Sequence, residues 1–331
     1  MARPAPRVSV VIPTYKRPEL LTRCLDALVR QTLPPSCYEI IVVDDGSDAD
    51  TRAACADVAR RSASAGPAIR YLRPLGTRGP AAARNRGWRA AAGSVVAFTD
   101  DDTIPDRDWL RQGEAALAVT GVQAAWGRVH VPLPPALTDN ARNTAGLENA
   151  VFVTANAFVR RDALRGVGGF DERYRRAWRE DTDLFFALVQ RFGAPAVVAA
   201  PAALVLHPVR DARFLASIGQ QANMAFDALL FKKYPGLYDR HVGMRHPPAL
   251  YAVIVLATLA AAVAWPFEAD LALGALGVAV AGVLVFAARR LRGLAKSPRL
   301  LADMLISSFA IPFVSLWWRC AGAWRWRVAF F

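Results

Sequence analysis

The chain has 331 residues, 54% of them hydrophobic, and a formal charge of +13 at pH 7. That length allows one large or two modest domains with a sizeable core, and the mean hydropathy of +0.20 is high for a soluble protein. Basic and apolar character together point to a membrane surface before DNA. The four cysteines, Cys24, Cys37, Cys55 and Cys320, form no CxxC pair, so buried free thiols in a reducing compartment are expected rather than a disulfide framework.

The opening MARPAPRVSVVIPTYKR runs from a short basic lead straight into a strand, and no signal peptide is read in it. Val8 to Ile12 is the first predicted strand. Pro18 then opens a helix with Leu20, Leu21, Cys24, Leu25 and Leu28 as one apolar stripe. A strand at Ile40 to Val43 ends in the turn Asp44-Asp45-Gly46-Ser47. Asp50 to Arg61 reads as a helix, Ile69 to Leu72 as a strand, and Pro80 to Ala92 as a helix. The run Val95-Val96-Ala97-Phe98-Thr99 is a buried strand that delivers Asp100, Asp101 and Asp102, followed by a helix from about Trp109 to Val119. This order implies an α/β fold with a mainly parallel, helix-covered sheet, in which ligands gather beyond the carboxyl ends of the strands. Both acidic clusters fall at such ends.

A polar, Pro-rich stretch near 132–146 separates this half from a mixed α and β region, Ala150 to Leu206. Pro247 to Phe267 and Leu271 to Ala288 then carry no charge, and each is about long enough to cross a bilayer core as a helix, with spans expected at about 248–266 and 271–288. The turn between them bears only acids. Lys232, Lys233, Arg240 and Arg245 precede the pair and Arg289, Arg290, Arg292 and Lys296 follow it, which places both flanks at the cytoplasmic side of a multi-pass cell (inner) membrane protein. Leu300 to Trp318, with Pro312 inside it and interleaved Trp and Arg beyond it, is expected as an interfacial or re-entrant helix at about 300–318. The expected division is a catalytic domain at 1–240 and a membrane region at 241–331.

Three adjacent carboxylates at a strand end repel one another, and a divalent cation removes the conflict. Hard oxygen ligands on a loop suit Mg²⁺ or Mn²⁺, which commonly bridge carboxylates to substrate phosphates. Asp44 to Ser47 alone would pass for an Asx turn. Glu180-Asp181, ahead of the apolar helical run Leu184, Phe185, Leu188 and Val189, equally suits a helix N-terminus that favours acids.

VSVVIPTYKR at 8–17, IVVDDGS at 41–47, GPAAARNRG at 79–87, FTDDD at 98–102, GGFDE at 168–172 and WREDTDLFF at 178–186 occur in an order that resembles a family 2 glycosyltransferase over roughly residues 8 to 210. The resemblance implies a GT-A fold with a DxD-type metal site. It implies that Pro13, Thr14, Tyr15, Arg17 and Asp45 meet the nucleotide, with Asp45 accepting a hydrogen bond from the base and Arg84 pairing with diphosphate oxygens. Asp102 and then Asp100 would ligate the cation, Asp101 and Asp100 would line the ribose or sugar, and His207 is a further candidate ligand, although a lone histidine is as often structural. Asp181 would be the general base with Glu180 in support. Gly169 and Trp178 would lie on the acceptor side, Trp178 as a sugar-stacking platform.

The expected function is therefore a membrane-associated, inverting glycosyltransferase. It would move a sugar from a nucleoside-diphosphate sugar to a hydroxyl of a lipid-linked or cell-envelope glycan, in one metal-assisted displacement with Asp181 as base. A polyprenyl-phosphate sugar synthase and a non-catalytic nucleotide-sugar-binding membrane protein are the alternatives. No G-x-G-x-x-G follows the first strand, against a dinucleotide-dependent oxidoreductase. The cations cluster at membrane flanks and form no known nucleic-acid-binding module.

Overall fold

The computed structural model describes residues 5–243 and 246–330, so Arg245 and the first four residues of the basic lead lie outside the described residues. The chain divides into two compact units. One takes in the residues up to Pro132 together with Ala145–Pro208, and the other Leu133–Thr144 together with Val209 onward. The units part at Pro208, earlier than the expected boundary at 240. A helix near 224–233 packs along the helix near 298–326 within the second unit.

In the first unit β1 (Val8–Thr14), α1 (Pro18–Leu28), β2 (Tyr38–Asp44), α2 (Ala49–Arg61), β3 (Ala68–Leu72), α3 (Pro80–Ala90) and β4 (Val95–Phe98) follow the expected alternation. β5 (Ile104–Pro105), α4 (Trp109–Leu117) and β6 (Ala124–His130) come next. A short helix α5 (Asp139–Ala145) belongs mostly with the second unit, and β7 (Ala157–Arg160), α6 (Arg161–Val167), α7 (Glu180–Phe192) and β8 (Val197–Leu206) complete the first. Proline at the first turn starts α1 and α3, where its missing N–H costs nothing. α1 buries Leu21, Cys24, Leu25 and Leu28 on one face. β2 is buried along its whole length and β1 along nearly all of it, as strands covered on both faces must be.

The eight strands run in the order β3-β2-β1-β4-β7-β6-β8-β5. The first four are parallel to one another. The sheet is mixed beyond them: β7 enters antiparallel between β4 and β6, and β5 pairs antiparallel with β8. Parallel neighbours need a long crossover. After β4 the chain instead turns through Asp100–Thr103 directly into β5.

The second unit holds α5, α8 (Ala216–Gln220), α9 (Met224–Lys233), α10 (Pro235–His241), α11 (Ala249–Ala264), α12 (Ala269–Leu291) and α13 (Pro298–Trp326). α12 and α13, at 23 and 29 residues, are long and apolar enough to cross a membrane. α11, with 16 residues, is about 24 Å long and falls short of a hydrocarbon core of about 30 Å. The expected spans thus shift toward the C-terminus: the first candidate is the short one, and the segment expected at 300–318 lies within a single helix continuous through Pro312.

Packing in this unit is turned inside out. Between α11 and α12 the buried residues are small, Ala261, Ala272, Ala279 and Gly282, with Ile254 against them. A Cβ on Gly282 would lie 2.8 Å from Ile254 Cγ1, so the glycine sets the close approach. Leu256, Val263, Leu271, Leu276 and Leu284 face outward. α13 lies along α9, where the Trp326 indole donates to the Ala225 carbonyl at 3.0 Å. Arg290 at the end of α12 donates to Asp139 at 2.7 Å and to the hydroxyls of Ser307 at 2.7 Å and Ser308 at 3.2 Å.

Candidate active site

The carboxyl ends of β1, β2 and β4 open on one side of the parallel half of the sheet. Asp44 is a turn residue: one carboxylate oxygen accepts from the Gly46 N–H at 2.9 Å, and the other from the Asp48 N–H and the Tyr71 hydroxyl, both at 2.7 Å. Asp45 is built differently. Its N–H donates to the Thr14 carbonyl at 2.9 Å and its Oδ2 accepts from the Gly79 N–H at 3.0 Å, whereas its Oδ1 is buried without a hydrogen-bond partner among the described residues. Lys16 and Ser47, beside these ends, hold left-handed backbone at φ 51°, a conformation that costs a non-glycine residue energy and tends to mark functional loops.

The aspartate triplet divides by direction. Asp101 turns inward, 2% exposed, and accepts from the Thr14 hydroxyl at 2.8 Å and from Arg17 at 3.1 Å. Burial pushes its carboxyl up to about 6, against the opposing pull of Arg17. Thr14, Arg17 and Asp101, all expected at the nucleotide, are thus bound to one another, and Asp101 braces the loop; Pro13 is half-buried and Tyr15 is 51% exposed. The turn is closed underneath by Thr99, whose hydroxyl shares a 2.6 Å hydrogen bond with that of Thr103.

Asp100 and Asp102 face the other way. With His207 they offer three ligand atoms within 4.8 Å of one another, the group of this kind among the described residues. The strand register brings them together: Ile104 of β5 pairs with Leu206 of β8, so the residue after β8 meets the loop before β5. His207 Nε2 lies 3.5 Å from Asp102 Oδ1, long for a hydrogen bond, and the imidazole Nδ1 is buried without a partner among the described residues. Two carboxylates and an imidazole with such a gap between them fit a divalent cation such as Mg²⁺ or Mn²⁺.

Arg84 comes off α3 into the same cleft, 2% exposed. Its guanidinium donates to Asp100 Oδ1 at 2.7 Å and to Glu180 Oε1 at 3.0 Å, and it lies over the Phe170 ring at 5.8 Å. Glu180 is 3% exposed, and its second oxygen is buried without a partner among the described residues. Burial and then the neighbouring Asp181 charge push its carboxyl up to about 7, while Arg84 pulls it back. Asp181 is half-buried, and one of its oxygens accepts the Thr182 N–H at 2.6 Å and the Thr182 hydroxyl at 3.3 Å. Burial raises its pKa too, which makes it a stronger base than an ordinary aspartate. The residue ahead of this helix, Arg179, has φ 72° and stacks over the Trp178 ring at 4.9 Å.

The loop Gly168–Glu172 hangs on Asn85, which uses its full hydrogen-bonding capacity. Its amide donates to the Phe170 carbonyl at 2.8 Å and Glu172 at 2.9 Å, and accepts from the Phe170 N–H at 2.9 Å and the Trp88 indole at 2.8 Å. Gly169, expected on the acceptor side, is buried in this loop. Its φ is 78°, and a Cβ there would lie 2.6 Å from both the Asn85 oxygen and the Trp88 nitrogen, so backbone geometry explains the glycine. Trp178 is half-buried. Asn85 as the loop's anchor and Arg84 as a bridge between carboxylates were missed from sequence. The adjacent Arg-Asn in GPAAARNRG was the available signal.

Residues 9–168 match the profile described as Glycosyl transferase family 2. The chain carries a family 2 glycosyltransferase domain. Glycosyltransferase AglE of Haloferax volcanii is 35% identical over 179 residues, covering 51% of this chain and 58% of its own length. A poly(ribitol-phosphate) beta-glucosyltransferase of Bacillus spizizenii is 36% identical over 106 residues, 32% of this chain and 16% of the relative. The chain thus spans little more than half of the first of these relatives and a small part of the second. Among solved structures, the mannosyltransferase PcManGT from Pyrobaculum calidifontis, in complex with GDP-Man and Mn2+, superposes with a TM-score of 0.58 at 24% identity, covering 95% of this chain and 88% of that one. The family 2 domain here has the GT-A fold, a mixed α/β sheet with apolar C-terminal helices after it. Asp45, the aspartate triplet, Arg84 and Asn85 fall inside the matched residues; Glu180, Asp181 and His207 fall beyond them.

Proposed function

We propose that the protein is a membrane-associated, inverting glycosyltransferase. It takes a nucleoside-diphosphate sugar as donor and a hydroxyl of a lipid-linked or cell-envelope glycan as acceptor. The observation that carries this reading is the single guanidinium of Arg84, which spans from Asp100 of the cation group to Glu180 beside Asp181. Donor chemistry and a base therefore share one cleft. Asp102, Asp100 and His207 would hold Mg²⁺ or Mn²⁺, which when bound offsets the negative charge of a leaving diphosphate.

Asp45 presents its unpartnered Oδ1 to an imide or amide N–H of the nucleotide base. Asp181 takes the proton of the acceptor hydroxyl, and the oxygen forms its bond to the anomeric carbon as the bond to the diphosphate breaks. One displacement inverts that carbon and needs no covalent sugar–protein intermediate. Trp178 offers an aromatic face to the acceptor sugar. A phosphate nucleophile would need no base, so a carboxylate at Asp181, next to the Glu180 that Arg84 ties to Asp100, favours a hydroxyl acceptor.

The outward-facing leucines and valines of α11 and α12 support attachment to a membrane through the second unit. Arg289 and Arg290 in the last turn of α12, with Arg292 and Lys296 after it, favour the cytoplasmic face for the catalytic unit. α13 suits the interface better than a simple span. Its N-terminal half carries Asp303, which accepts from the Leu215 N–H, and Ser307 and Ser308, which accept from Arg290, and the helix packs on α8, α9, α11 and α12.

A thermal-shift panel of nucleotide sugars, with and without Mn²⁺, tests the reading. A stabilisation by one donor that grows with Mn²⁺ is expected. Equal shifts with every nucleotide sugar and none from Mn²⁺ would count against it.

A further inference from the structure

Arg84 is more than a buried arginine in a polar cleft. Among the described residues it is the cation in direct contact with both Asp100 and Glu180, and it makes those contacts with its two separate terminal nitrogens. A carboxylate has two oxygens. Arg84 holds Oδ1 of Asp100, which fixes the rotation of that side chain and leaves its other oxygen for a cation. On the far side it holds Oε1 of Glu180, the first residue of α7, and Asp181 is the next residue. The guanidinium also lies against Phe170 in the loop that Asn85 suspends. Each terminal nitrogen donates to one carboxylate, while Nε is buried without a hydrogen-bond partner among the described residues.

We propose that Arg84 is a positioning residue that couples the cation site to the base: one guanidinium sets the stance of Asp100 toward the metal and the stance of Asp181 toward the acceptor. Asp100, Glu180 and Asp181 are three anions in a cleft where burial strengthens their repulsion. Arg84 is their common countercharge. When a divalent ion takes over the charge of Asp100, more of the guanidinium's field is left to Glu180, and the N-terminal turn of α7 is held more firmly. Cation loading and base placement are then one linked event, and linkage of this kind is reciprocal.

The inference rests on the proposed transferase reading, and its test separates the two. Mn²⁺ alone is titrated into the full chain and followed by the electron paramagnetic resonance signal of free Mn²⁺. Hydrogen exchange of the peptide covering residues 178–186 is followed in parallel, and the nucleotide sugar selected by the thermal-shift panel supplies the kinetics. In the wild type, Mn²⁺ slows exchange at the start of α7. Arg84→Gln removes a positive charge one carboxylate away from the ion, a repulsion that outweighs the freedom gained by one aspartate side chain. Its Mn²⁺ Kd therefore falls at least fivefold, the exchange response is lost, kcat falls at least thirtyfold, and the donor KM stays within threefold.

Glu180→Gln keeps the Arg84–Asp100 pair and carries the test if Arg84→Gln fails to fold. It lowers kcat about tenfold and, because Arg84 released from Glu180 holds Asp100 more closely, raises the Mn²⁺ Kd at least threefold. The double variant loses no more kcat than Arg84→Gln alone, because both act through one chain of contacts. A donor KM raised tenfold or more with kcat retained in Arg84→Gln would make Arg84 a diphosphate ligand and overturn the inference. So would multiplicative losses in the double variant, or an unchanged kcat in Glu180→Gln. If the wild type turns over no nucleotide sugar, the transferase reading fails, while the Mn²⁺ and exchange measurements still decide the coupling.

Discussion

The two units of this chain put the same kind of residue to opposite uses. In the first, Val, Ile, Leu and Phe fill the sheet interior, and polar groups that reach the cleft are paired or bridged, as at Asp101 and Arg84, or left with an unpartnered atom, as at Asp45 and Glu180. In the second, alanines and a glycine pack between α11 and α12 while leucines and valines face outward. The hydrophobic effect alone builds the first arrangement. The second suits surroundings as apolar as its surface, since lipid gives leucine no reason to hide. Under the proposed membrane attachment, similar apolar content would serve both a catalytic unit and a lipid-facing anchor, and the distinction lies in which side chains are small.

The comparison can be broken from the catalytic side first. Asp181→Asn keeps size and removes the base, and is expected to lower kcat about a thousandfold with donor affinity retained, measured by steady-state transfer and donor titration. A loss confined to donor affinity would move Asp181 out of the chemistry. On the anchor side, the paired change Leu276→Glu and Leu284→Glu places charges on the exposed face of α12. Sedimentation with membranes should fall at least tenfold, while nucleotide-sugar hydrolysis in detergent stays within threefold. Unchanged sedimentation would contradict the lipid-facing assignment.

A smaller effect separates conformation from contact inside the catalytic unit. Gly168 and Gly169 have φ 81° and 78°, yet a Cβ on Gly168 meets nothing within 4 Å, whereas one on Gly169 meets Asn85 and Trp88. Gly168→Ala should cost about 1 kcal/mol of unfolding free energy for its backbone alone. Gly169→Ala should cost about 3 kcal/mol, because overpacking adds to the strain. Thermal unfolding of the pair reads the difference. Equal costs would mean that the Asn85 anchor gives way easily.

Much of this was legible in the amino-acid sequence. The alternation of apolar runs with prolines at helix starts marked β1 to β4 and their helices, because parallel strands buried on both faces leave an unbroken apolar signal. Asp45, the aspartate triplet and Asp181 stood at strand and helix ends where chemistry gathers. The rest depended on contacts far apart in the chain. His207 reaches Asp102 through the pairing of a two-residue strand, Ile104–Pro105, too short to leave a periodic pattern. The inward turn of Asp101 is decided by Thr14 and Arg17, more than eighty residues earlier. Arg84 is marked in the sequence by the family resemblance, but its bridge between Asp100 and Glu180 joins residues 16 and 96 positions away. In the second unit α13 runs on through Pro312 beyond the expected 300–318 in both directions, as prolines in helices supported by neighbours can.

A single displacement in the cleft that holds Asp100 and Asp181 inverts the anomeric carbon, and proton nuclear magnetic resonance of the first product formed from an α-linked nucleotide sugar reads that carbon. A β-configured product is expected in the wild type and none on that timescale in Asp181→Asn; an α-configured product would rule the single displacement out.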